Sequence, residues 1–365
     1  MFHIVTYMYQ PNTAAGNRLL AFIQNLSQQN VETTLHILLP DPVFNRIQGE
    51  LSNVRVMHYW ETIGIKSRPL HYFLKKLYLR KVRDSFDSGD AVLLYGLSSQ
   101  LSFFRKREDI KLYHECTESP LVISPGNLDE YIKACKELDG LFVISNQLRS
   151  YFIQEGVRAE RIETINMIAD TSRFEGLEKR SHKDKYLAYC GNLSNTKDGV
   201  DLLIKAFAEV HAEYPDYELY LIGQKEKNAN EQLISDLGLD HYVICTGTVN
   251  AKEMPQMLKD ADMLLLCRPD NLQAQYGFPT KLGEYLLTAN PVVVTAVGDI
   301  PIYLHDGKNA MVSQAGNTHE FARKIIWLLN NPAEAKKIGE DGRVTALEHF
   351  NGSIETKKMI DFIRK

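Results

Sequence analysis

A ten-residue segment, 276–285, holds residue types that could bind a phosphate group and a sugar at one helix start. Its sequence is YGFPTKLGEY, and it follows an apolar run at 263–267 that is typical of a buried strand. Pro279 suits the first position of a helix that we expect to run to about Thr288. Lys281 then lies in the first turn, where the positive end of the helix dipole disfavours a cation. A cation and free backbone N–H groups at one helix start are compatible with a bound anion.

Glu284 lies three residues after Lys281, so the two side chains share one face of the expected helix. A lysine for phosphate and a carboxylate for sugar hydroxyl groups would suit a nucleotide sugar. The alternative is a surface ion pair, which stabilises a helix by only about 0.2–0.5 kcal/mol. The segment alone leaves both interpretations open.

Two other strand-to-helix loops combine glycine with a basic residue. The loop 191–199 contains Lys197 at the start of an expected helix, and its glycines permit tight turns and close backbone approach. The loop 11–18 joins the first strand to the first helix, and we expect Gly16 to lie where a side chain would block a ligand. One such loop is more often structural than functional, but three together favour a phosphate-facing site.

Strand-like apolar runs alternate with helical patterns along most of the chain, which favours parallel sheets covered by helices on both faces. Strands are expected at 3–7, 34–39, 54–58, 91–95, 112–114, 141–145, 161–165, 186–190, 218–222, 243–246, 263–267 and 291–297. The polar stretch 174–185 has no apolar period and is interpreted as a linker. The predicted fold class is therefore α/β, with two Rossmann-like domains facing each other across a cleft. Ligands in such sheets bind at the carboxyl ends of the strands.

The length of 365 residues agrees with two domains of ordinary size. The net charge of −4 argues against general nucleic-acid binding. The five cysteines lack metal-binding spacing, which favours reduced thiols in a cytoplasmic protein. Met1 leads almost directly into a strand, and no apolar run approaches the ~20 residues of a membrane span. We therefore expect neither a signal peptide nor a transmembrane helix.

Residues 66–83 depart from this acidic balance, because they include seven Lys or Arg and no Asp or Glu. Large apolar residues lie between the cations, so the segment is typical of a basic amphipathic helix. One interpretation is a solvated helix that packs its apolar face on the core. The other is a helix that adheres to anionic lipid headgroups, which would place the protein peripherally at the inner face of a membrane.

Taken in order, the motifs resemble the retaining glycosyltransferases of family 4, the glycosyl transferase group 1 proteins with the GT-B fold. Segment 276–284 resembles the family's E-x7-E signature, and segment 189–204 resembles its G-R-L…K-G…L-I region. Further segments that carry the resemblance are 165–174, 219–223, 246–249, 261–263 and 290–293. The resemblance implies an acceptor domain at 1–174, a nucleotide-sugar donor domain at 175–349, and a C-terminal helix at 350–365 that crosses back to the first domain.

The resemblance also implies which residues act on the donor. Lys197 and Lys281 would stabilise the departing diphosphate, and Glu284 would accept hydrogen bonds from ribose. His114 would meet the donor sugar, with a capping or core histidine as the alternative. The predicted catalytic residues are thus His114, Lys197, Lys281 and Glu284. Further donor-binding residues, some through backbone N–H groups, are predicted at Gly16, Gly191, Asn192, Gly223, Thr248, Val249, Tyr276, Gly277, Phe278 and Thr280.

Neither a metal site nor a cofactor is expected, and the predicted substrate is a nucleotide diphosphate sugar of the UDP or GDP type. The D-x-D at 260–262 ends a helix and begins a strand, so we interpret it as structural. The predicted acceptor is a glycan or lipid-linked glycan in the biosynthesis of a surface polysaccharide.

Two positions depart from the family pattern: Tyr276 replaces its first signature glutamate, and Asn192 replaces its arginine. Three functions are therefore weighed. The first is a hexosyltransferase, the second is a sugar-nucleotide epimerase of the same build, and the third is a catalytically weak subunit that binds a nucleotide sugar. An epimerase would release an altered sugar nucleotide without an acceptor, whereas a weak subunit would bind nucleotide without transfer.

Overall fold

The computed structural model describes residues 1–7, 13–38, 51, 53–58, 68–180, 185–224 and 230–365. The chain forms two compact units, Met1–Asn166 together with Gly352–Lys365, and Met167–Asn351. Each unit has its own parallel sheet and its own helices. The α/β class with two Rossmann-like domains is therefore confirmed.

The first unit contains a seven-stranded sheet in the order β3-β2-β1-β4-β5-β6-β7, and all neighbouring strands are parallel. Its inner strands are almost entirely buried, as expected of apolar strands covered on both faces. The strands are β1 (Phe2–Thr6), β2 (Thr33–Ile37), β3 (Val54–His58), β4 (Ala91–Tyr95), β5 (Lys111–Cys116), β6 (Gly140–Val143) and β7 (Ile162–Thr164).

The second unit contains a six-stranded sheet in the order β10-β9-β8-β11-β12-β13, again with every pair parallel. The strands are β8 (Lys185–Cys190), β9 (Tyr217–Ile222), β10 (Val243–Gly247), β11 (Met263–Leu266), β12 (Val292–Thr295) and β13 (Met311–Ser313). The sequence predicts the first five of these strands but not β13, which is only three residues long and too short to show a pattern.

Helices connect the strands in both units. Those of the first unit are Ala14–Gln28, Arg68–Asp84, Leu101–Phe104, Pro120–Ile123, Leu128–Lys136, Asn146–Gln154 and Gly352–Arg364. Those of the second unit are Asn195–Asp198, Val200–Glu213, Glu231–Asp236, Met254–Asp260, Leu272–Tyr276, Lys281–Leu287, Ile300–Tyr303, Thr318–Asn330 and Pro332–His349. Short 3₁₀ turns lie at Ser98–Gln100, Ala159–Arg161 and Thr171–Phe174.

The division between the units lies at residues 166 and 167, earlier than the boundary at 174 that composition suggests. Residues before the polar linker already pack on the second unit. A Cβ on Gly283 would lie 2.2 Å from Cε of Met167 and 2.8 Å from Cβ of Ala169, so these backbones approach closely. Polarity marks where a chain is solvated, which is not the same place as where packing changes.

The helix Gly352–Arg364 belongs to the first unit, although it follows the second unit in sequence. Glu355 accepts a hydrogen bond from the backbone N–H of Asn166 at 2.7 Å. Phe362 packs edge-to-face on Tyr113 and Phe142. Gly140 leaves room for this ring, because a Cβ there would lie 2.5 Å from it.

Among the described residues, no helix is both long enough and apolar enough to cross a membrane. The basic segment 66–83 forms the helix Arg68–Asp84 from its third residue onward. Lys66 lies outside the described residues.

Candidate functional site

The strand order of the second sheet reverses between β8 and β11, and this switch point is where open α/β sheets bind ligands. Gly191 directly follows β8, and Arg268 lies two residues beyond β11. Both therefore lie at the carboxyl edge beside the switch point. The Lys281 helix (Lys281–Leu287) lies between β11 and β12 in sequence and reaches this edge through its side chains.

The ammonium group of Lys281 lies in a cluster of four side chains at this edge. Its Nζ donates to Asp198 Oδ2 at 2.6 Å and to the Tyr189 hydroxyl at 2.8 Å, and it lies 4.6 Å from the centre of the Tyr189 ring. The Tyr189 hydroxyl is also 2.8 Å from Asp198 Oδ2. Nε of Arg268 lies 3.7 Å from Asp198 Oδ1. The cluster thus contains two cations and one carboxylate.

The charges of the cluster are unequally buried. The side chains of Asp198 and Arg268 are 4% and 2% exposed, whereas that of Lys281 is 17% exposed. Burial alone would raise the pKa of Asp198, but the neighbouring Lys281 and Arg268 hold it below its usual range. Burial lowers the pKa of Lys281, and Asp198 opposes that change. Lys281 is therefore the member of this cluster that can best meet an arriving anion.

Glycines bring the backbone close to this cluster. Gly191 has a φ of 155°, and a Cβ there would lie 2.3 Å from Nζ of Lys281. A Cβ on Gly223, which follows β9, would lie 1.9 Å from the carbonyl oxygen of Gly191. Gly199 has a φ of 62°, and a Cβ there would lie 2.2 Å from the carbonyl oxygen of Cys267. These close approaches place Asp198 and Lys281 at the ends of β8 and β11.

Tyr285 fixes the Lys281 helix to the end of β8. Its hydroxyl accepts from the Cys190 N–H at 2.6 Å and lies 3.2 Å from the Cys190 carbonyl oxygen. The Tyr285 ring is fully buried. Lys281 and Tyr285 are four residues apart, so one helix face holds both side chains against the same strand end.

Glu284 forms an ion pair with Arg173, which lies in the 3₁₀ turn Thr171–Phe174. Arg173 also donates to the carbonyl oxygen of Ala251 at 3.0 Å. Burial raises the pKa of Glu284, and Arg173 opposes the rise. The Glu284 side chain keeps 18% of its surface exposed. Glu284 and Lys281 therefore do not form the surface ion pair considered above. Glu284 pairs with Arg173 and Lys281 pairs with Asp198, and both partners are far away in sequence.

The rest of the signature segment is placed differently from the sequence expectation. The helix begins at Lys281 rather than at Pro279, and Tyr276 ends a separate short helix, Leu272–Tyr276. The Gly277 N–H donates to the carbonyl oxygen of Gln273 at 3.1 Å, so it is already used within the chain. The Phe278 ring is buried against Tyr303 and Phe350. Thr280 precedes the helix and is half-buried.

The remaining predicted residues of the second unit lie at or near the same carboxyl edge. Lys197 is half-buried in the short helix Asn195–Asp198. Asn192 has an exposed side chain, and its carbonyl oxygen lies 2.8 Å from the Tyr189 hydroxyl. Thr248 is exposed and Val249 half-buried, and both directly follow β10.

His114 lies in the core of the first unit. Its Nδ1 is 2.9 Å from the Leu94 carbonyl oxygen, and its Nε2 is 3.1 Å from the Tyr131 hydroxyl. Burial lowers the pKa of His114 to about 4, so the ring is neutral near pH 7. Both ring nitrogens have partners inside the unit. The structure therefore favours a core histidine over one that meets a sugar.

Gly16 lies in the first turn of the helix Ala14–Gln28 rather than in the preceding loop as expected, and Arg18 follows it on the same helix. The Gly16 N–H is capped by the Thr13 hydroxyl at 3.1 Å. Arg18 donates to Glu115 at 2.9 Å and to the carbonyl oxygens of Asn166 and Ile165 at 2.6 and 2.8 Å. The Arg18 guanidinium group is therefore bonded to a buried carboxylate and to backbone carbonyl oxygens of the first unit.

The D-x-D residues, Asp260 and Asp262, have structural partners. Asp260 accepts from the backbone N–H and the guanidinium of Arg180 at 2.6–2.9 Å. Asp262 accepts from Lys179 at 2.6 Å. In the part of the chain that the structure describes, no group of three or more His, Cys, Asp or Glu could hold a metal ion.

Three charged residues of the site were not predicted from the sequence: Asp198, Arg268 and Arg173. Each had a weak signal. Asp198 directly follows Lys197, and Arg268 is a charged residue at the end of a fully apolar run. Arg173 lies within the segment 165–174 that carries part of the family resemblance.

Residues 184–331 match the family model described as "Glycosyl transferases group 1". The MMP alpha-(1->4)-mannosyltransferase of Mycolicibacterium hassiacum is 25% identical over 229 residues, which are 62% of this chain and 54% of that protein. The GDP-mannose-dependent alpha-(1-6)-phosphatidylinositol monomannoside mannosyltransferase of Mycolicibacterium smegmatis is 26% identical over 229 residues, 59% of each chain. This chain thus spans between half and two thirds of the length of these curated relatives.

The Anabaena protein HepE, solved in complex with UDP, has a similar structure with a TM-score of 0.77 at 18% identity. The similarity covers 100% of this chain and 99% of HepE. Residues 184–331 therefore resemble a glycosyl transferases group 1 domain, and the chain has the GT-B fold, as the sequence resemblance predicted.

Proposed function

We propose that this protein is a retaining, metal-independent glycosyltransferase that moves a sugar from a nucleotide diphosphate sugar to a glycan or lipid-linked glycan. The observation that carries the proposal is the Lys281 ammonium group, which lies beside Gly191 at the switch point of a group 1 domain. HepE was solved with UDP, and one relative is named as GDP-mannose-dependent. These names support a nucleotide-sugar donor and leave the base open between UDP and GDP.

The departing diphosphate is the group that Lys281 would stabilise. Two unit charges ~4 Å apart interact by ~4 kcal/mol at an effective dielectric of ~20. The interaction accelerates transfer only to the extent that it strengthens in the transition state, where the leaving group gains negative charge. Asp198 holds the ammonium group at the edge of the sheet, and Arg268 leaves the cluster with a net positive charge. Lys197 would add a second cation from the adjoining helix.

Glu284 would accept hydrogen bonds from the ribose hydroxyl groups of the donor. A hydrogen bond to a charged acceptor contributes about 1.5–3 kcal/mol. Arg173 already bonds to one side of this carboxylate, so it would orient the group for the ribose. Gly223, Thr248 and Val249 end or follow the neighbouring strands at the same edge.

A nucleotide-sugar-binding subunit with little activity is the second candidate. It is favoured by Asn192, whose exposed neutral side chain stands where the family has an arginine. Such a subunit would bind the nucleotide at the Lys281 cluster yet show neither transfer nor slow hydrolysis of the donor.

A panel of UDP and GDP sugars tests the proposal. We expect one donor to raise the melting temperature of the wild-type protein, because ligand bound to the folded state stabilises it. The same donor should then be consumed in the presence of a glycan acceptor, with retained anomeric configuration by NMR. Stabilisation without transfer or hydrolysis would favour the binding subunit, and release of an altered sugar nucleotide without acceptor would indicate an epimerase.

We also propose that the protein acts peripherally at the inner face of a membrane, where a lipid-linked acceptor would be available. The basic segment 66–83 supports this location, since it carries seven cations and no acidic residue. If the acceptor were instead a soluble glycan, the protein would not need to contact a membrane.

A further inference from the structure

The basic helix Arg68–Asp84 of the first unit has two apolar faces rather than one. Leu79 and Val82 are buried and attach the helix to the unit. Leu70, Phe73 and Leu77 are 46%, 62% and 50% exposed. The sequence leaves open whether its large apolar residues pack on the core or face lipid, and the structure places three of them in solvent.

The exposed residues form a stripe on the outward side of the helix. Residues of an α-helix are about 100° apart around its axis, so Leu70, Phe73 and Leu77 fall within about 60° of one another. By the same geometry, Leu79 and Val82 lie on the opposite side. We call Leu70, Phe73 and Leu77 the outer stripe. It is separate from the face that packs on the core, so packing within the described unit does not explain it.

Cations flank the outer stripe. Lys76, Arg80 and Lys81 are exposed, and Arg80 and Lys81 continue the stripe in the next turn. Asp84, the last residue of the helix, is its one acidic residue, and its carboxylate accepts from Arg83 at 3.0 Å. The outward face therefore combines an apolar centre with a positive border, which is the pattern of helices that lie in the interface of anionic membranes.

We propose that the outer stripe inserts into the surface of an anionic phospholipid bilayer, with Arg80 and Lys81 against the headgroups. The proposal deepens the peripheral location given under the proposed function by naming the contact surface. Charge favours a bilayer over a second copy of this chain, because self-association through this face would bring two positive borders together. Insertion would let the helix lie in the membrane plane without crossing it.

Cosedimentation with vesicles of phosphatidylglycerol and phosphatidylcholine tests the contact. We expect the wild-type protein to pellet with mixed vesicles and not with phosphatidylcholine alone. The double variant Phe73→Ser/Leu77→Ser should bind at least ten-fold more weakly. Ile302→Ser/Val344→Ser is the matched control, since these residues of the second unit are 52% and 51% exposed, and it should bind as the wild type does. Equal binding by the stripe variant would overturn the proposal.

Fluorescence locates the inserted residue. Phe73→Trp should show a blue-shifted emission when anionic vesicles are added, whereas Val344→Trp should not. Arg80→Glu/Lys81→Glu should lose binding at low salt, since its border would repel anionic headgroups. A Phe73→Trp spectrum that stays unchanged while the protein pellets would place the contact elsewhere and refute the insertion.

Self-association is the competing use of the stripe. If sedimentation velocity without lipid shows a dimer that Phe73→Ser/Leu77→Ser dissociates, and vesicles bind neither protein, the stripe is a dimer contact and the proposal is wrong. Donor-induced stabilisation and transfer to a soluble acceptor are measured in parallel. They would persist in that case, which separates failure of membrane docking from failure of the proposed function.

Discussion

The two units bury similar charged pairs near their sheets but differ in how far they seal them from solvent. In the first unit, the side chains of Arg18 and Glu115 are only 3% and 4% exposed. In the second, Lys281 and Glu284 keep 17% and 18% of their side-chain surface. A sealed pair has no route to a ligand, whereas a partly open one can exchange or share its partner. The exposure of Lys281 and Glu284, rather than residue type, therefore distinguishes the candidate site from the core, since Asp198 and Arg268 in the same site are as buried as Arg18 and Glu115.

The largest expected effect tests the sealed pair. Arg18→Met would leave the Glu115 carboxylate buried without its cation, and breaking such a pair costs about 3–5 kcal/mol. We expect a loss of this size in the free energy of unfolding by urea. Arg158→Met is the control, since Arg158 forms an exposed pair with Glu160 at 3.6 Å and should change stability by no more than ~1 kcal/mol. Full stability with impaired donor binding would show instead that Arg18 serves the ligand.

The next effect tests the open cluster. Lys281→Ala should lower kcat/KM by about 10²–10³-fold, as is typical when a group that stabilises transition-state charge is removed. Steady-state transfer and the melting temperature should be measured together. Lys205→Ala, on the helix Val200–Glu213, changes an exposed lysine that pairs with Asp201 and should leave transfer unchanged. A normal rate for Lys281→Ala in a folded protein would refute the diphosphate role.

Glu284→Ala should weaken binding of the donor nucleotide by about ten-fold or more, because a charge-assisted hydrogen bond contributes about 1.5–3 kcal/mol. Isothermal calorimetry measures the change. Arg173→Met is the informative companion, because it removes the partner and keeps the carboxylate. If neither variant changes affinity and both lower the melting temperature, the pair has only a structural role and resembles the Arg18 pair after all.

A smaller effect concerns the histidines of the first unit. Burial lowers the pKa of His36 to about 3, with His3 beside it adding to the effect, and burial lowers that of His114 to about 4. Below pH ~6.5 the unfolded chain binds protons that these folded histidines do not. Each should therefore reduce stability by up to ~1.4 kcal/mol per pH unit as the pH falls from ~6.5 to ~5.

Amide hydrogen exchange in β1 and β4 follows the opening of the first unit between pH 7.5 and 5. His36→Leu should reduce the pH dependence of the free energy of opening. His319→Gln, which changes an exposed histidine of the second unit, should not alter this pH dependence. A slope that His36→Leu does not alter would show that the buried histidines are not its source.

Removal of metal ions is expected to have no effect on activity. Transfer should persist in EDTA, since Lys281 and Lys197 would supply the positive charge that a metal supplies elsewhere. The assay compares EDTA-treated protein with protein given Mn²⁺. An absolute requirement for Mn²⁺ would contradict the proposed mechanism and would direct attention back to Asp260 and Asp262.

The sequence is informative about the sheets because each strand is a local apolar run. Twelve of the strands follow from such runs, while β13 does not, since three residues carry too little pattern. Lys281 is predictable for a similar reason: a cation in the first turn of a helix is locally unfavourable and requires an explanation.

The partners of the site residues depend on the fold and are beyond local reasoning. Lys281 and Asp198 are 83 residues apart in sequence, and Arg173 and Glu284 are 111 apart. Nothing in either segment specifies the other until the strands are ordered. The same limit applies to His114, because a histidine in an apolar strand has the same sequence context whether it faces a ligand or Tyr131.

The helix Gly352–Arg364 makes completion of the first unit depend on prior translation of the second. A ribosome releases residues 1–166 early, but Phe362 and the Glu355 carboxylate emerge only after the whole second unit. Until then Tyr113 and Phe142, which stack on each other, lack the Phe362 ring, and the Asn166 N–H lacks its acceptor. The nascent first unit would therefore expose this part of its apolar surface until the second unit has been translated.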